Sequence, residues 1–389
     1  MITQTIRRCP QAISLMTIVT VLVVACSPEP SEPTQPNVLL IMADDMGYSD
    51  LGCYGSEINT PNLDGLAAGG LRFTQFYNAA RCCPTRASLL TGISPHRAGM
   101  GGMVQRQPAE EPHAYQGYLN DQCVTIAEVL KPAGYRTYMS GKWHVGEFRP
   151  VFPVDRGFDR YYGLISGAMN YWNITKGKNL NVERQFVEDT TLINDQVKDG
   201  FYSTHAYTQK ALEYLDDHFQ DHGDSPFFMY IAHQAPHWPL HAPDSAIAKY
   251  RGKYKMGWEA LRHERYARMK EMGLTTYELS PLDGNTADWE SLSEEQKDSM
   301  DLKMAIHAAM IDVMDAGIGR VIQRLEAQGE LDNTLIMFLS DNGASSESGS
   351  FGHNFRRDLT ETMGSENSYH SYGSSWANAS NTPFRKFKR

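Results

Sequence analysis

Cysteine is scarce, with six residues in a chain of 389. That is too few for a disulfide framework, and a chain this long does not need one to hold a core. A basic excess is also missing. Against 46 Asp and Glu stand 36 Lys and Arg, for a formal net charge of -10. This excludes a nucleic-acid binder that depends on a positive face. It leaves room for a small anionic ligand, because a local group of cations can override the overall field. No apolar run in the body is long enough to cross a bilayer, and no internal repeat occurs. What remains, 41% hydrophobic and 21% charged, is the composition of a folded globular protein. The length suits one large α/β domain or two ordinary ones.

The N-terminus reads as a targeting segment and is left out of the fold. Arg7 and Arg8 precede an apolar stretch from Ile13 to Val24, too short for a comfortable membrane span. It ends Val23-Val24-Ala25-Cys26, which resembles the lipobox of bacterial lipoproteins. The resemblance implies cleavage before Cys26 and lipidation of Cys26. The protein would then be held to a membrane of the bacterial cell envelope, on the periplasmic or outer-surface side. The alternative is an ordinary cleaved signal with a chance cysteine. Residues 26–36, rich in Pro, Ser and Glu, form an extended tether. The expected organisation is thus a signal peptide over 1–25, a tether over 26–36 and a catalytic domain over 37–389.

Four apolar, β-type runs in the body each lead straight into polar residues. Val38 to Met42 leads to Asp44-Asp45, and Tyr135 to Met139 leads to Gly141-Lys142-Trp143-His144. Phe227 to Ile231 leads to His233-Gln234-Ala235-Pro236-His237-Trp238, and Leu335 to Leu339 leads to Asp341-Asn342-Gly343. Runs this continuous predict strands buried on both faces, with helices between them at Thr125–Lys131, Tyr207–Phe219 and Met300–Gln328. The last helix is expected to break near Gly317. Open α/β sheets bind ligands at the carboxyl ends of such strands. Four distant stretches therefore deliver Asp, Lys, His and Asn to one rim. Two polar regions, 239–298 and 343–382, look like insertions: a helical cap and a lid or loose segment, with solvated charges.

The rim residues suggest chemistry by type. Asp44, Asp45 and Asp341 with the amide of Asn342 offer hard oxygen donors, which suit Ca²⁺ better than zinc. Lys142 and His144 alternate, so an extended backbone would put them on one side and Trp143 on the other. The run Cys82-Cys83-Pro84-Thr85-Arg86-Ala87-Ser88-Leu89-Leu90-Thr91-Gly92 reads as a helix with Pro84 in its first turn and Gly92 at its end. Cys82 then lies at a helix N-terminus, where free N–H groups favour an anion, and Arg86 lies one turn on along the same face. Cys53 and Cys123 either pair or stay as buried thiols, the second being the simpler reading.

Cys-x-Pro-Thr-Arg from Cys82, Gly-Lys-Trp-His around Lys142, and Ala-Pro-His-Trp-Pro around His237 together resemble the type I sulfatases, of the bacterial arylsulfatase type within the alkaline phosphatase-like superfamily. The resemblance runs from about Asn37 to the end of the chain. It implies a three-layer α/β/α fold with a large mixed, mostly parallel central sheet. It also implies that Cys82 is oxidised by a maturation enzyme to formylglycine, whose hydrate attacks the sulfur of a sulfate ester. One Ca²⁺ would be held by Asp44, Asp45, Asp341, Asn342 and the modified Cys82. Arg86 and His144 would serve the nucleophile, His237 would bind sulfate and protonate the leaving alcohol, and Lys142 and Lys388 would bind sulfate. Lys386 is the runner-up for the role given to Lys388. The substrate would be a sulfated small molecule or glycan. Relatives carry a smaller C-terminal subdomain, which the resemblance marks as absent before Arg389. Three alternatives stand beside this: a phosphodiester or phosphonate monoester hydrolase of the same superfamily, an inactive lipid-anchored fragment that binds sulfated glycans, and a Cys–His hydrolase, which would leave the carboxylates unexplained.

Overall fold

The apolar runs become neighbouring strands of one sheet. The computed structural model describes residues 35–105, 113–174, 184–196, 200–356 and 362–388. Cys26 and the targeting segment lie outside them. The elements in chain order are β1 (Asn37–Asp44), α1 (Pro61–Gly69), α2 (Cys82–Thr91), α3 (Ile126–Leu130), β2 (Arg136–Gly141), β3 (Arg160–Leu164), β4 (Phe186–Glu188) and β5 (Thr191–Leu192). There follow α4 (Ser203–Asp221), β6 (Phe227–Pro236), α5 (Asp244–Ala248), α6 (Gly257–Glu271), α7 (Glu294–Ala327), β7 (Thr334–Ser340) and α8 (Gly373–Ser380).

The strands form a seven-stranded sheet in the order β5-β4-β3-β2-β6-β1-β7. β1 lies between β6 and β7 and is parallel to both, and β2 is parallel to β6 and β3. Among the described residues the antiparallel pairings are β3 with β4 and β4 with β5. Successive residues of β1 serve opposite layers, as the two-residue period of a strand requires. Leu39 and Ile41 pack in one core with Leu215 of α4 and Met304 and Ile311 of α7. Leu40 and Met42 pack in the other with Ala87 of α2 and Ala127 of α3. Helices thereby lie on both faces of the sheet, the three-layer α/β/α arrangement that the resemblance implies.

Local signals set the helix starts. Thr125 and Glu128 cap α3 reciprocally, and Ser293 and Gln296 do the same for α7. Each pair satisfies two N–H groups that a helix start otherwise leaves open.

Several expectations change. The strand ending in Asp341 is not buried on both faces. β7 is an edge strand, and Leu335 and Met337 are 52% and 37% exposed. Its apolar pattern resembles that of a central strand because its other face still meets the core. α7 does not break at Gly317. The glycine is there for close approach, since a Cβ would run into the side chain of Thr208 on α4. The region 239–298 carries α5 and α6, and its tryptophans Trp258 and Trp289 are buried. Trp258 meets Trp289 and Trp376 edge-on, with ring centroids 4.8 and 5.4 Å apart. Arg262 and Arg265, expected to be solvated, are buried. Among the described residues, 343–382 is packed rather than loose, and all eight residues of α8 are buried. Cys53 and Cys123 are buried free thiols.

Gly141 closes β2 at φ +121°, and a Cβ there would collide with the carbonyl of Ala232 on β6. Gly141→Ala should cost roughly 3 kcal/mol or more, read from the urea unfolding midpoint. A cost within about 0.5 kcal/mol would show that the strand ends are not packed this closely.

Candidate active site

The rim is built where β1 and β7 end side by side. Ala43 is in register with Ser340, and Asp341 N–H donates to the Ala43 carbonyl at 3.1 Å. Asp44, Asp45, Asp341 and Asn342 therefore leave adjacent strand ends together. Asp45 takes a left-handed backbone, φ +65°, and its N–H donates to Asp341 Oδ1 at 3.3 Å. All four residues are buried.

Two carboxylates this close need a cation, and Arg86 supplies one. Its Nε and one terminal nitrogen donate to Asp341 Oδ2 at 3.1 and 3.0 Å, and the second of these lies 3.6 Å from Asp44 Oδ2. The other terminal nitrogen donates to the Lys142 carbonyl at 2.9 Å. Arg86 is fully buried, so these bonds fix α2 against the strand ends. That in turn fixes Cys82, one turn earlier, at the start of α2 beside His144. The Lys142 ammonium pairs with Asp44. Lys388 Nζ lies 2.6 Å from Asp45 Oδ1. Asn342 Nδ2 donates to the same oxygen at 2.6 Å.

His237 enters from the end of β6. Its Nε2 is 3.5 Å from Asp45 Oδ2, and its Nδ1 is 2.6 Å from the Trp238 carbonyl. A carbonyl only accepts, so Nδ1 carries the proton and Nε2 is the atom turned to the carboxylates.

These charges shift one another. Burial opposes ionisation of Asp44, but Lys142, His237 and Arg86 outweigh it and hold the carboxyl well below its usual value. Burial and the neighbouring Asp44 push Asp341 well above its usual value, with Arg86 opposing. Burial, and then Lys142, lower His144 to about 4, against the pull of Cys82. A hydrogen bond from Cys83 lowers the Cys82 thiol well below its usual value, aided by His144 and Lys142 against burial. Burial works against the charge on Lys388, but Asp45 more than offsets it and raises the ammonium.

The donor set fits a hard divalent cation. Asp44 Oδ1, Asp45 Oδ2 and Asn342 Oδ1 are buried without any hydrogen-bond partner, a costly state that one cation would relieve in all three. One ligand atom each from Asp44, Asp45 and His237 lie within 4.8 Å of one another. Oxygen donors of this kind suit Ca²⁺.

All ten residues named for the site reach this rim, but one argument for them fails. Lys142 and His144 do not share a side through extended alternation. β2 ends at Gly141, and His144 has φ +59°, so it reaches Cys82 by a turn. Trp143 does face the core, where its Nε1 donates to the Val151 carbonyl at 2.9 Å. Lys386 is not in the site and pairs with Asp283 at 2.6 Å. His241 is held by Tyr171 N–H and the Ser368 carbonyl. Two supports were not foreseen: the Tyr171 hydroxyl donates to the His237 carbonyl at 2.8 Å, and the Tyr230 hydroxyl lies 3.5 Å from Arg86. Both sit in ordinary aromatic core sequence, which carries no local signal of such a role.

Known proteins resemble this chain. An uncharacterised sulfatase of Schizosaccharomyces pombe is 37% identical over 380 residues, covering 92% of this chain and 68% of its own. The arylsulfatase of Klebsiella aerogenes is 36% identical over 370 residues, covering 92% and 78%. The crystal structure of Ps i-CgsB in complex with k-i-k-neocarrahexaose superposes with a TM-score of 0.60 at 27% identity. That match covers 86% of this chain and 64% of the other, so the chain spans less than two thirds of that protein's length. The sulfatase family profile matches residues 36–384. The profile spans nearly the whole described body, and both sequence relatives exceed 30% identity over 92% of the chain, so the chain belongs to the sulfatase family, whose members hydrolyse sulfate esters.

Proposed function

We propose that this chain hydrolyses sulfate monoesters at the rim of β1, β6 and β7, with Cys82 converted to formylglycine and one Ca²⁺ bound. The observation that carries this is the set of three orphaned, buried oxygens of Asp44, Asp45 and Asn342 beside an N-terminal helix residue fixed by Arg86. Cys82 Sγ marks where the hydroxyls of the converted residue would sit. The hydrated aldehyde supplies a nucleophilic hydroxyl and a second hydroxyl on the same carbon, which a thiol or serine lacks. Asp44, Asp45, Asp341 and Asn342 would hold the Ca²⁺, which when bound would supply positive charge for sulfate oxygens and lower the pKa of that hydroxyl.

The protein's own residues do the rest. Lys142 and Lys388, which reach Asp44 and Asp45 through flexible stems, can instead hold anionic sulfate oxygens as charge builds on them. His144, kept neutral at ordinary pH by burial, accepts a proton at residue 82. His237, with Nδ1–H committed to the Trp238 carbonyl, presents Nε2, and in its doubly protonated form gives the Nε2 proton to the departing alcohol oxygen. Arg86 holds residue 82 in place and offsets the carboxylates. The oligosaccharide bound by Ps i-CgsB supports a sulfated glycan as substrate. A formylglycine-generating enzyme and a lipid anchor at Cys26, in the bacterial cell envelope, complete the proposed setting.

Mass spectrometry of the peptide holding residue 82 should show the Cys-to-formylglycine change. Cys82→Ala should lower p-nitrophenyl sulfate turnover by about 10³-fold or more. Unmodified cysteine in a fully active preparation would refute the assignment. A clear preference for a phosphodiester or phosphonate analogue would favour the phosphorus reading.

Removal of Arg86 leaves Asp44 and Asp341 buried without their shared cation. Arg86→Ala should therefore destabilise the chelator-treated protein by roughly 3–5 kcal/mol, read by urea unfolding, and Ca²⁺ should restore part of the loss. A change under about 0.5 kcal/mol would mean that the carboxylates do not depend on it.

A further inference from the structure

Cys83 is a buried thiol that the proposed reaction does not use. It follows Cys82 at the start of α2, and both are nearly inaccessible to solvent, as is His144. One ligand atom from each of Cys82, Cys83 and His144 lie within 4.8 Å of one another. The imidazole is uncommitted on one side, since its Nδ1 is buried and has no hydrogen-bond partner. Two sulfurs and one imidazole nitrogen form the donor set of a soft-metal site with an open fourth position. This is distinct chemistry from the oxygen set of Asp44, Asp45 and Asn342 next to it. The nearby cations Lys142, Arg86 and Lys388, which would oppose a metal ion, are each paired with a carboxylate, of Asp44, Asp341 and Asp45 in turn.

We propose that the unconverted chain holds one thiophilic divalent ion, chiefly Zn²⁺, with Cys82, Cys83 and His144 as its ligands. Two S–H bonds break as two Zn–S bonds form, and both protons leave to solvent. The imidazole adds a Zn–N bond, and water fills the fourth position. No electron is transferred. Conversion of Cys82 removes one of the two sulfurs and so destroys the site. Cys83 thereby has a role: it makes the immature chain a zinc binder that the mature enzyme is not. Only the clause on conversion rests on the formylglycine reading.

The test uses full-length protein produced without a converting enzyme, with the thiol at residue 82 confirmed by mass and kept reduced by a phosphine. Ca²⁺ is held in excess to occupy the oxygen site, and Zn²⁺ is titrated against a chromophoric chelator. One Zn²⁺ per chain is expected. Cys83→Ser should weaken binding by about 100-fold or more, and Co²⁺ substituted for Zn²⁺ should show sulfur-to-cobalt charge transfer that falls by about half in the variant. Cys83→Ala serves if the serine variant does not fold, and the converted wild-type protein gives a further comparison that should not retain Zn²⁺. No bound zinc, equal affinity after loss of Cys83, or loss of binding in Asp45→Asn instead would each overturn the proposal. If no host converts Cys82, the formylglycine reading fails while the zinc titration still decides this one.

Discussion

Two carboxylates on adjacent strand ends, with one arginine shared between them, set the geometry of this molecule. β1 and β7 are in register, so Asp44 and Asp341 leave the sheet side by side. Both are buried, and each raises the cost of charging the other. Arg86 lies between them and ties both to the first turn and a half of α2. The position of residue 82 is therefore a consequence of charge compensation at the strand ends. The same bonds that lower the electrostatic cost of the rim also aim the start of the helix.

A second layer of polar contacts holds this arrangement from behind. Asp50 accepts from Gly47 N–H at 2.9 Å, from Arg265 at 2.7 Å and from His307 at 3.0 Å. Arg265 also meets Glu57 at 2.8 Å. The loop after Asp45 is thus pinned to α6 and α7. The Asn381 side chain accepts from Tyr48 and Ala344 N–H groups and donates to the Lys386 carbonyl. Lys388 N–H in turn donates to the Ala344 carbonyl at 2.9 Å. These bonds carry the last described residues to the rim and bring Lys388 over Asp45. Preorganisation of this kind is what an electrostatic mechanism requires, since charges already in place need no rearrangement during reaction.

The sheet and the site were legible in the sequence to different depths. Strong apolar runs ending in polar residues located β1, β2, β6 and β7, because a buried strand must be apolar and its carboxyl end opens to the ligand side. The short strands β3, β4 and β5 were missed, since Arg160–Leu164 and Phe186–Glu188 carry no long run. Edge position was also hidden: Leu335 and Met337 look like core residues and are half-exposed. The residues of the rim could be named because type and order matched a family pattern. Their partners could not, because Tyr171 with His237 and Asp50 with Arg265 are contacts across long stretches of chain. The left-handed turn at His144 was also out of reach, since no glycine marks it.

The central claim is that the strand ends seat one hard cation beside residue 82. A crystal structure of the converted protein grown with Ca²⁺ tests this most directly. The account predicts a single ion roughly 2.3–2.6 Å from Asp44 Oδ1, Asp45 Oδ2 and Asn342 Oδ1, with Lys142 and Lys388 turned from the carboxylates toward the sulfate position. An ion bound elsewhere, or a rim that keeps its lysine–carboxylate pairs at saturating Ca²⁺, would contradict it.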